Sequence, residues 1–392
     1  MMRYITAMSA VLLLSGCGSM DSMNPIDWFG SEESSVKPAE LVELTGTVPV
    51  RTLWSTSVGS GADDQRVKLV PYVVDNRIYA ADSSGTVKAL DAASGRTQWS
   101  VETELEISGG PGAGEGLVLI GTSNAELVAL DSSSGAERWR TRVSSEVLSV
   151  PKVSRGMAVV HTIDGKLFGF DAASGKQTWI YDRTAPVLTL HGSSSPVISG
   201  NAAICGFANG KLVSVELETG NPIWEVSVTA PRGRSELERM VDIDGDPLVV
   251  DGVIYVATYQ GDMAAVSQDT GVVLWRRKLS SYTGLSVDYR QLYVSDDNDF
   301  VWAVDPRNGS ALWKNEKLKA RRLSAPAVLG DYVVVGDYQG YLHWLSTEDG
   351  RLLGRTRVGE DPITTAPVVD NGVVYIYGDG GALAAVTGAV KP

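Results

Sequence analysis

This chain has few of the residues that usually signal chemistry. Its 392 residues contain two cysteines, Cys17 and Cys205, and three histidines, His161, His191 and His343. Two cysteines allow at most one intramolecular disulfide, and none if Cys17 is modified. The histidines lie in separate segments. None has a metal-like spacing to a cysteine or to another histidine, so no zinc-type signature exists. There is no Gly-x-Ser-x-Gly elbow and no phosphate-cradling glycine loop. Positive charge is also scarce: 34 Lys and Arg stand against 47 Asp and Glu, a formal charge of −13. That balance argues against nucleic acid as a partner. Long apolar runs are missing too. Ile5–Leu14 covers about ten residues, too few to span a bilayer.

What the chain does have is a period. Ala89-Leu90-Asp91-Ala92-Ala93-Ser94-Gly95 runs on to Trp99, Leu130-Asp131 through Gly135 to Trp139, and Phe170-Asp171 through Gly175 to Trp179. Weaker copies lead from Glu216 and Gly220 to Trp224, from Ser267 and Gly271 to Trp275, and from Asp305 and Gly309 to Trp313. In a seventh, from Ser346 and Gly350, Gly354 stands where the tryptophan should be. The turns begin 40, 40, 45, 51, 38 and 41 residues apart. A repeat of this length holds about four short strands, the size of a propeller blade. Asp or Ser at the turn can accept backbone N–H groups, and Gly takes the positive φ. The tryptophan offers an apolar face for packing between blades.

An eighth turn, Thr387-Gly388, comes 41 residues after Ser346, and the chain stops at Pro392 before another tryptophan strand. Trp54, conversely, has no turn before it. The segment around Thr52–Ser55 therefore completes the last blade and removes two exposed sheet edges. The expected fold is all-β: an eight-bladed propeller of four-stranded antiparallel blades over residues 48–392, with the N-terminal strand closing the last one. A solenoid of the same repeat is the alternative; it would leave its edges open.

Residues 1–16 read as a lipoprotein signal peptide. Arg3 supplies the charge, an apolar run follows, and Leu14-Ser15-Gly16-Cys17 reads as a lipobox. Cys17 is the expected lipidation site. Gly18 in place of Asp favours the outer membrane, facing the periplasm. Stable anchoring needs more than one acyl chain. Residues 17–47, with Asn24-Pro25, a Ser/Glu run at 31–35 and Lys37-Pro38, read as the lipidated Cys and a flexible tether. Trp28-Phe29 within it has no assigned contact.

Elsewhere the single residues look structural. Cys205 reads as a small buried strand residue, and His161 and His343 as strand residues. Asp242-Ile243-Asp244-Gly245-Asp246 superficially suggests a calcium loop, but it lacks the later bidentate Glu at the right place, and Asp251 and Gly252 follow instead. The segment reads as a solvated loop.

Departures from the period are more telling, because insertions in repeat proteins map to loops on one face. From each tryptophan to the proline that opens the next blade the count is 12 for Trp99–Pro111 and Trp139–Pro151, and 13 for Trp313–Pro326 and Gly354–Pro367. Two consecutive junctions are longer: Trp179–Pro196 is 17 and Trp224–Pro247 is 23. Trp54–Pro71 is also 17 but lies elsewhere on the ring. The two long neighbours should project side by side. One carries Pro186-Val187-Leu188-Thr189-Leu190-His191, in which Leu188 and Leu190 point the same way if extended. The other runs from Arg232 to Asp244 with alternating charge. Apolar anchors beside charges suit a protein interface; two long surface loops with internal packing are the other reading.

With these features together, the chain resembles the BamB family, β-propeller lipoproteins of the bacterial outer-membrane β-barrel assembly machinery with PQQ-like repeats. Trp54-Ser55-Thr56-Ser57-Val58-Gly59-Ser60-Gly61, Tyr79-Ala80-Ala81-Asp82, Val87-Lys88-Ala89-Leu90, Val334-Val335-Gly336-Asp337 and Gly340-Tyr341-Leu342-His343-Trp344 carry the resemblance. It implies a non-catalytic scaffold without cofactor that binds the POTRA region of BamA and helps deliver unfolded outer-membrane proteins. The family's Leu-x-Leu-Arg pattern falls on Leu188, Leu190 and, with a departure, His191. Its Arg-x-x-Asp-x-Asp pattern falls on Arg239, Asp242 and Asp244. His191 in place of arginine loses a permanent charge and a bidentate fork. Exposed blade edges offer a second way to hold extended clients, by β-augmentation.

The repeat also resembles the tryptophan-docking motif of quinoprotein dehydrogenases, which bind pyrroloquinoline quinone and calcium. Those enzymes are longer, and many use a vicinal disulfide that this chain cannot form. The motif is architectural, and a small quinoprotein dehydrogenase stays as the enzyme alternative. A lipoprotein that organises the envelope through another partner is a third reading.

Overall fold

The computed structural model describes residues 37–44, 48–63, 65–182, 190–231, 234–235 and 237–388. Two compact units are distinguished, 1–37 and 38–392, and all described residues except Lys37 belong to the second. The expected signal peptide, Cys17 and Trp28-Phe29 lie outside the described residues, as does Leu188.

Among the described residues the strands form eight sheets, each a four-stranded antiparallel meander, and one sheet carries a fifth strand. The blades span 72–102, 107–142, 152–182, 197–227, 248–278, 285–315, 327–357, and lastly 368–388 with 50–57. The inner strands of successive blades touch around the ring, except that the fifth blade meets the sixth through its second strand, Val253–Ala257, and Val368–Asp370 of the last touches Tyr72–Val74 of the first. The propeller is closed, which excludes the solenoid.

Strand composition follows position. Middle strands such as Ile78–Ala81 and Val118–Thr122 are buried along their length, because neighbouring blades cover both faces. They consequently read as continuous Val, Leu, Ile and Ala. Outer strands such as Thr97–Glu102 and Pro222–Ser227 alternate between covered and exposed residues, since one side faces water.

The tryptophans clamp each blade to the next. Indole N–H groups of Trp54, Trp99, Trp139, Trp179, Trp224, Trp275 and Trp313 donate to carbonyls of Ala92, Ser132, Ala172, Leu217, Gln268, Pro306 and Thr347, at 2.8–3.0 Å. Each acceptor sits in the following blade's turn. The ring lies flat on that turn's glycine. At Gly135 (φ 74°) a Cβ would come 2.7 Å from the Trp99 ring, so glycine is required for both its conformation and its lack of side chain.

Across the third and fourth strands the tryptophan always faces a small residue: Ala89 for Trp99, Ala129 for Trp139, Gly169 for Trp179, Ala265 for Trp275 and Ala385 for Trp54. The seventh blade inverts this pair. Trp344 stands on the third strand opposite Gly354, is wholly buried, and packs against Gly388 of the eighth turn. The ring volume is retained, but the indole N–H has no acceptor.

The N-terminal strand Val50–Ser57 pairs antiparallel with Ala382–Gly388 and completes the eighth blade, as expected. Part of the segment read as tether is held to the seventh blade and to the junction that precedes it. Ala39 N–H donates to Lys319 O (3.0 Å), Arg321 donates to Ala39 O (2.9 Å), and Arg355 donates to Val42 O (2.6 Å). Arg321 is oriented by the buried carboxylate of Asp337, 2.7 Å away, which also takes His343 Nε2 at 2.7 Å.

Candidate functional site

The site is built on a socket that recurs around the ring. At the junction between the second and third blades, Val147 fills the space above Gly121; a Cβ there would lie 2.2 Å from Val147 Cγ1. Ile363 does the same above Gly336 (2.3 Å) and Ile243 above Gly206 (2.2 Å). Their N–H groups donate to Thr122 O (3.1 Å), Asp337 O (3.0 Å) and Phe207 O (3.4 Å). In the long junction the extra residues precede this plug, so Ile243 keeps its seat and fixes Asp242 and Asp244 on either side of it.

These acids bind the neighbouring long loop. Asp242 is wholly buried, and its Oδ2 accepts the Leu190 N–H. Asp244 packs on Gly192, where a Cβ would stand 2.9 Å from its Oδ1. Asp246 Oδ1 accepts Ser195 N–H at 2.6 Å. The two loops thus form one bonded face.

Burial raises the acids' pKa values. Asp242 is pushed up to about 7, by desolvation first and then by Asp244, against the pull of the Leu190 N–H. Asp244 rises to about 6 through desolvation, partly offset by Lys68. For Asp246 desolvation also pushes upward, but Lys68 and Lys152 outweigh it and hold the group below the usual carboxylate range. Asp242 Oδ1 has no hydrogen-bond partner, so ionising it is costly.

Of the six residues expected to bind a partner, five are described. Leu190 is half-buried and His191 exposed, with His191 Nε2 3.4 Å from Glu146 of the preceding junction. Arg239 is exposed on a short turn, its N–H donating to Ser235 O at 3.2 Å. Asp242 and Asp244 meet the Leu190–Gly192 loop directly. The expectation of a solvated loop at 242–246 is corrected: Ile243 pulls the segment inward, burying Asp242 completely and half-burying Asp244.

The other single residues behave as strand-end groups. His161 Nδ1–H donates to Ser194 O at 3.0 Å, and burial lowers its pKa to about 4, so the ring is neutral. Cys205 is free and buried, its thiol pushed above its ordinary range by desolvation. Among the described residues no group of three His, Cys, Asp or Glu is placed to hold a metal ion.

Two participants were not singled out from the sequence. Glu146 faces His191. Lys68, from the third long junction, reaches the site from across the ring. Its ammonium donates to Ser193 O (3.0 Å), Asp244 O (3.4 Å) and Asp246 Oδ1 (2.5 Å). A usable signal was present: counted back from the blade-opening prolines, Val147, Ile243 and Ile363 all sit four residues before Pro151, Pro247 and Pro367. That frame marks 242 and 244 as flanks of an inward plug.

The family model described as outer membrane protein assembly factor BamB matches residues 45–107, 83–315 and 301–390. The protein of that name from Alkalilimnicola ehrlichii is 51% identical over 384 residues, covering 98% of this chain and 96% of the relative. Those from Pseudomonas aeruginosa and Escherichia coli are 49% and 37% identical, covering 98% and 96% of this chain and 98% of each relative. The crystal structure of BamB from Moraxella catarrhalis superposes with a TM-score of 0.79 at 29% identity, over 86% of this chain and 99% of that one. A quinohemoprotein alcohol dehydrogenase from Comamonas testosteroni gives 0.69 at 14% identity, over 88% and 77%, and shares the fold alone.

Proposed function

The chain belongs to the BamB family of outer membrane protein assembly factors, and we propose that it serves that assembly by presenting the two-loop face to the POTRA region of BamA. It is a non-enzymatic factor acting with the assembly complex at the outer membrane and periplasm. The observation that carries the proposed face is the bonding of the two longest neighbouring junctions into one unit, with Asp242 on Leu190 N–H and Asp244 on Gly192. Leu188 and Leu190 supply apolar anchors. His191, Arg239 and Asp244 supply the polar rim, and Asp242 acts inward by shaping the loop that bears Leu190.

Residues 1–16 are read as a signal peptide, 17–47 as the lipid-bearing segment and tether, and 48–392 as the functional propeller. Lipid on Cys17 would hold the propeller at the outer membrane facing the periplasm. Cys17→Ser should then move the protein into the soluble periplasmic fraction. Unfolded outer-membrane clients are the second class of partner, taken along exposed blade edges.

The Leu188→Ala/Asp244→Ala protein should keep a wild-type circular dichroism spectrum and lose co-purification with BamA. Unchanged co-purification would overturn the assignment of the face.

A further inference from the structure

The third long junction, 55–70, is not a separate decoration. Lys68–Leu69 pairs parallel with Ile107–Gly114, Lys68 opposite Gly109 and Leu69 opposite Gly110, and Val70 N–H donates to Gly110 O at 3.0 Å. Ile107–Gly114 is the innermost strand of its blade, so the added strand lies on the axial side of the sheet. From there the Lys68 side chain spans to residues that precede the fourth and fifth blades. One ammonium is shared by a carbonyl of each long loop, Ser193 O and Asp244 O, and by the Asp246 carboxylate. Asp246 in turn holds Ser195 N–H of the opposite loop.

We propose that Lys68 is a positioning residue for the partner-binding face: it crosses the ring and ties the loop bearing Leu190 and His191 to the loop bearing Asp242 and Asp244. The inference rests on the face assigned above and adds the device that sets its shape. Three carboxylates fall within five residues at 242–246, Asp242 buried and Asp244 and Asp246 half-buried. Without a cation between the loops the negative charge here is uncompensated, Asp246 and the two loop carbonyls lose their shared donor, and the loops separate. Lys152, whose charge also acts on Asp246, is occupied over the Tyr72 ring at 5.4 Å and makes no bond to either loop carbonyl among the described contacts. Lys68 touches both.

The test is amide hydrogen exchange on the full-length protein, together with co-purification of BamA. Lys68→Met should speed exchange at Ser195 and Leu190 about tenfold or more and leave strand amides such as Val159 and Val213 protected. It should also weaken BamA binding about tenfold. Lys68→Arg should restore most of both. Asp246→Asn should reproduce the loop opening, and adding it to Lys68→Met should cause little further change, since one interaction is being removed twice. Wild-type exchange at Ser195 and Leu190 in Lys68→Met overturns the inference. So does wild-type BamA binding by Lys68→Met when Leu188→Ala/Asp244→Ala has lost it. If both variants bind normally, the face itself is wrong and the positioning role falls with it.

Discussion

The junction between the second and third blades and the junction between the fourth and fifth use the same socket for different ends. In the first, Glu146-Val147-Leu148 lays Val147 over Gly121 and Leu148 is buried beside it. In the second, Asp242-Ile243-Asp244 lays Ile243 over Gly206 and brings two carboxylates to a neighbouring loop. The outer seams match as well: Trp139 docks on Gly175 of the next turn, and Trp224 docks on Gly271. The difference teaches that the propeller confines its variation to residues between the outer strand and the plug. Ten or so residues can be added there without disturbing either the seam or the socket, and the plug then becomes a rigid mount for functional side chains.

The largest effect should come from the shared seam. Trp139→Ala and Trp224→Ala should each cost about 3–5 kcal/mol, for lost burial plus the cavity left behind. Urea midpoints that moved for one and not the other would break the claim that plain and decorated junctions share it.

Next comes the socket. Ile243→Ala should lose about 2–4 kcal/mol and Val147→Ala somewhat less. Only Ile243→Ala should also weaken BamA binding, because only there does the plug carry the face. Equal binding losses in both would mean that general destabilisation explains them.

A smaller and pH-dependent effect separates the junctions electrostatically. The folded pKa of Asp242, about 7, lies above the ordinary value near 3.8. Its contribution to stability is therefore fully present below about pH 4 and is lost as pH rises through 7. Asp242→Asn, which keeps the shape and an acceptor for the Leu190 N–H, should be more stable than wild type at pH 8 by about 1–3 kcal/mol. That advantage should vanish by pH 4. A constant difference across this range would show that the carboxylate is not desolvated. The comparison must be made against wild type at each pH, because His161, with its pKa lowered by burial to about 4, loses stability as pH falls below about 6.5.

The smallest effect concerns the inverted seam. Trp344 has no acceptor for its buried N–H, whereas Trp313 donates to Thr347 O at 2.8 Å. Trp344→Phe should change stability by less than about 1 kcal/mol, since removing the unpaired donor offsets part of the lost packing, and Trp313→Phe should cost more. Equal losses in melting temperature would argue that the inversion carries no electrostatic penalty.

Most of the architecture was legible because it repeats. Each turn that opens with Asp, Glu or Ser, carries Gly four residues on and leads to tryptophan states a local rule, and six copies make the rule unmistakable even with Gly354 in the tryptophan's place in a seventh. The ends, Trp54 without a turn and Gly388 without a tryptophan, completed one another. The exchange of Trp344 for residue 354 was harder to see, because it needs the pairing of two strands.

The face was legible only in outline. Loop length located both neighbours, and a motif marked six residues on them. Burial at 242–246 is not legible in the sequence, since alternating acids running into Gly245 and Pro247 look solvated until Ile243 is placed in its socket. Lys68 could not be found at all from its neighbours. It is 125 residues from Ser193 and 178 from Asp246.

Sequence alone therefore determined the period, the closed ring of eight blades and the positions where the ring is decorated. Each of these depends on spacing along the chain and on residue types that local geometry demands: glycine at positive φ, tryptophan against a small partner. Only the tertiary structure decided which decorations meet and which charges are buried. Closing the ring brings the first strap opposite the fourth and fifth blades, and proximity across a closed ring is independent of distance along the sequence.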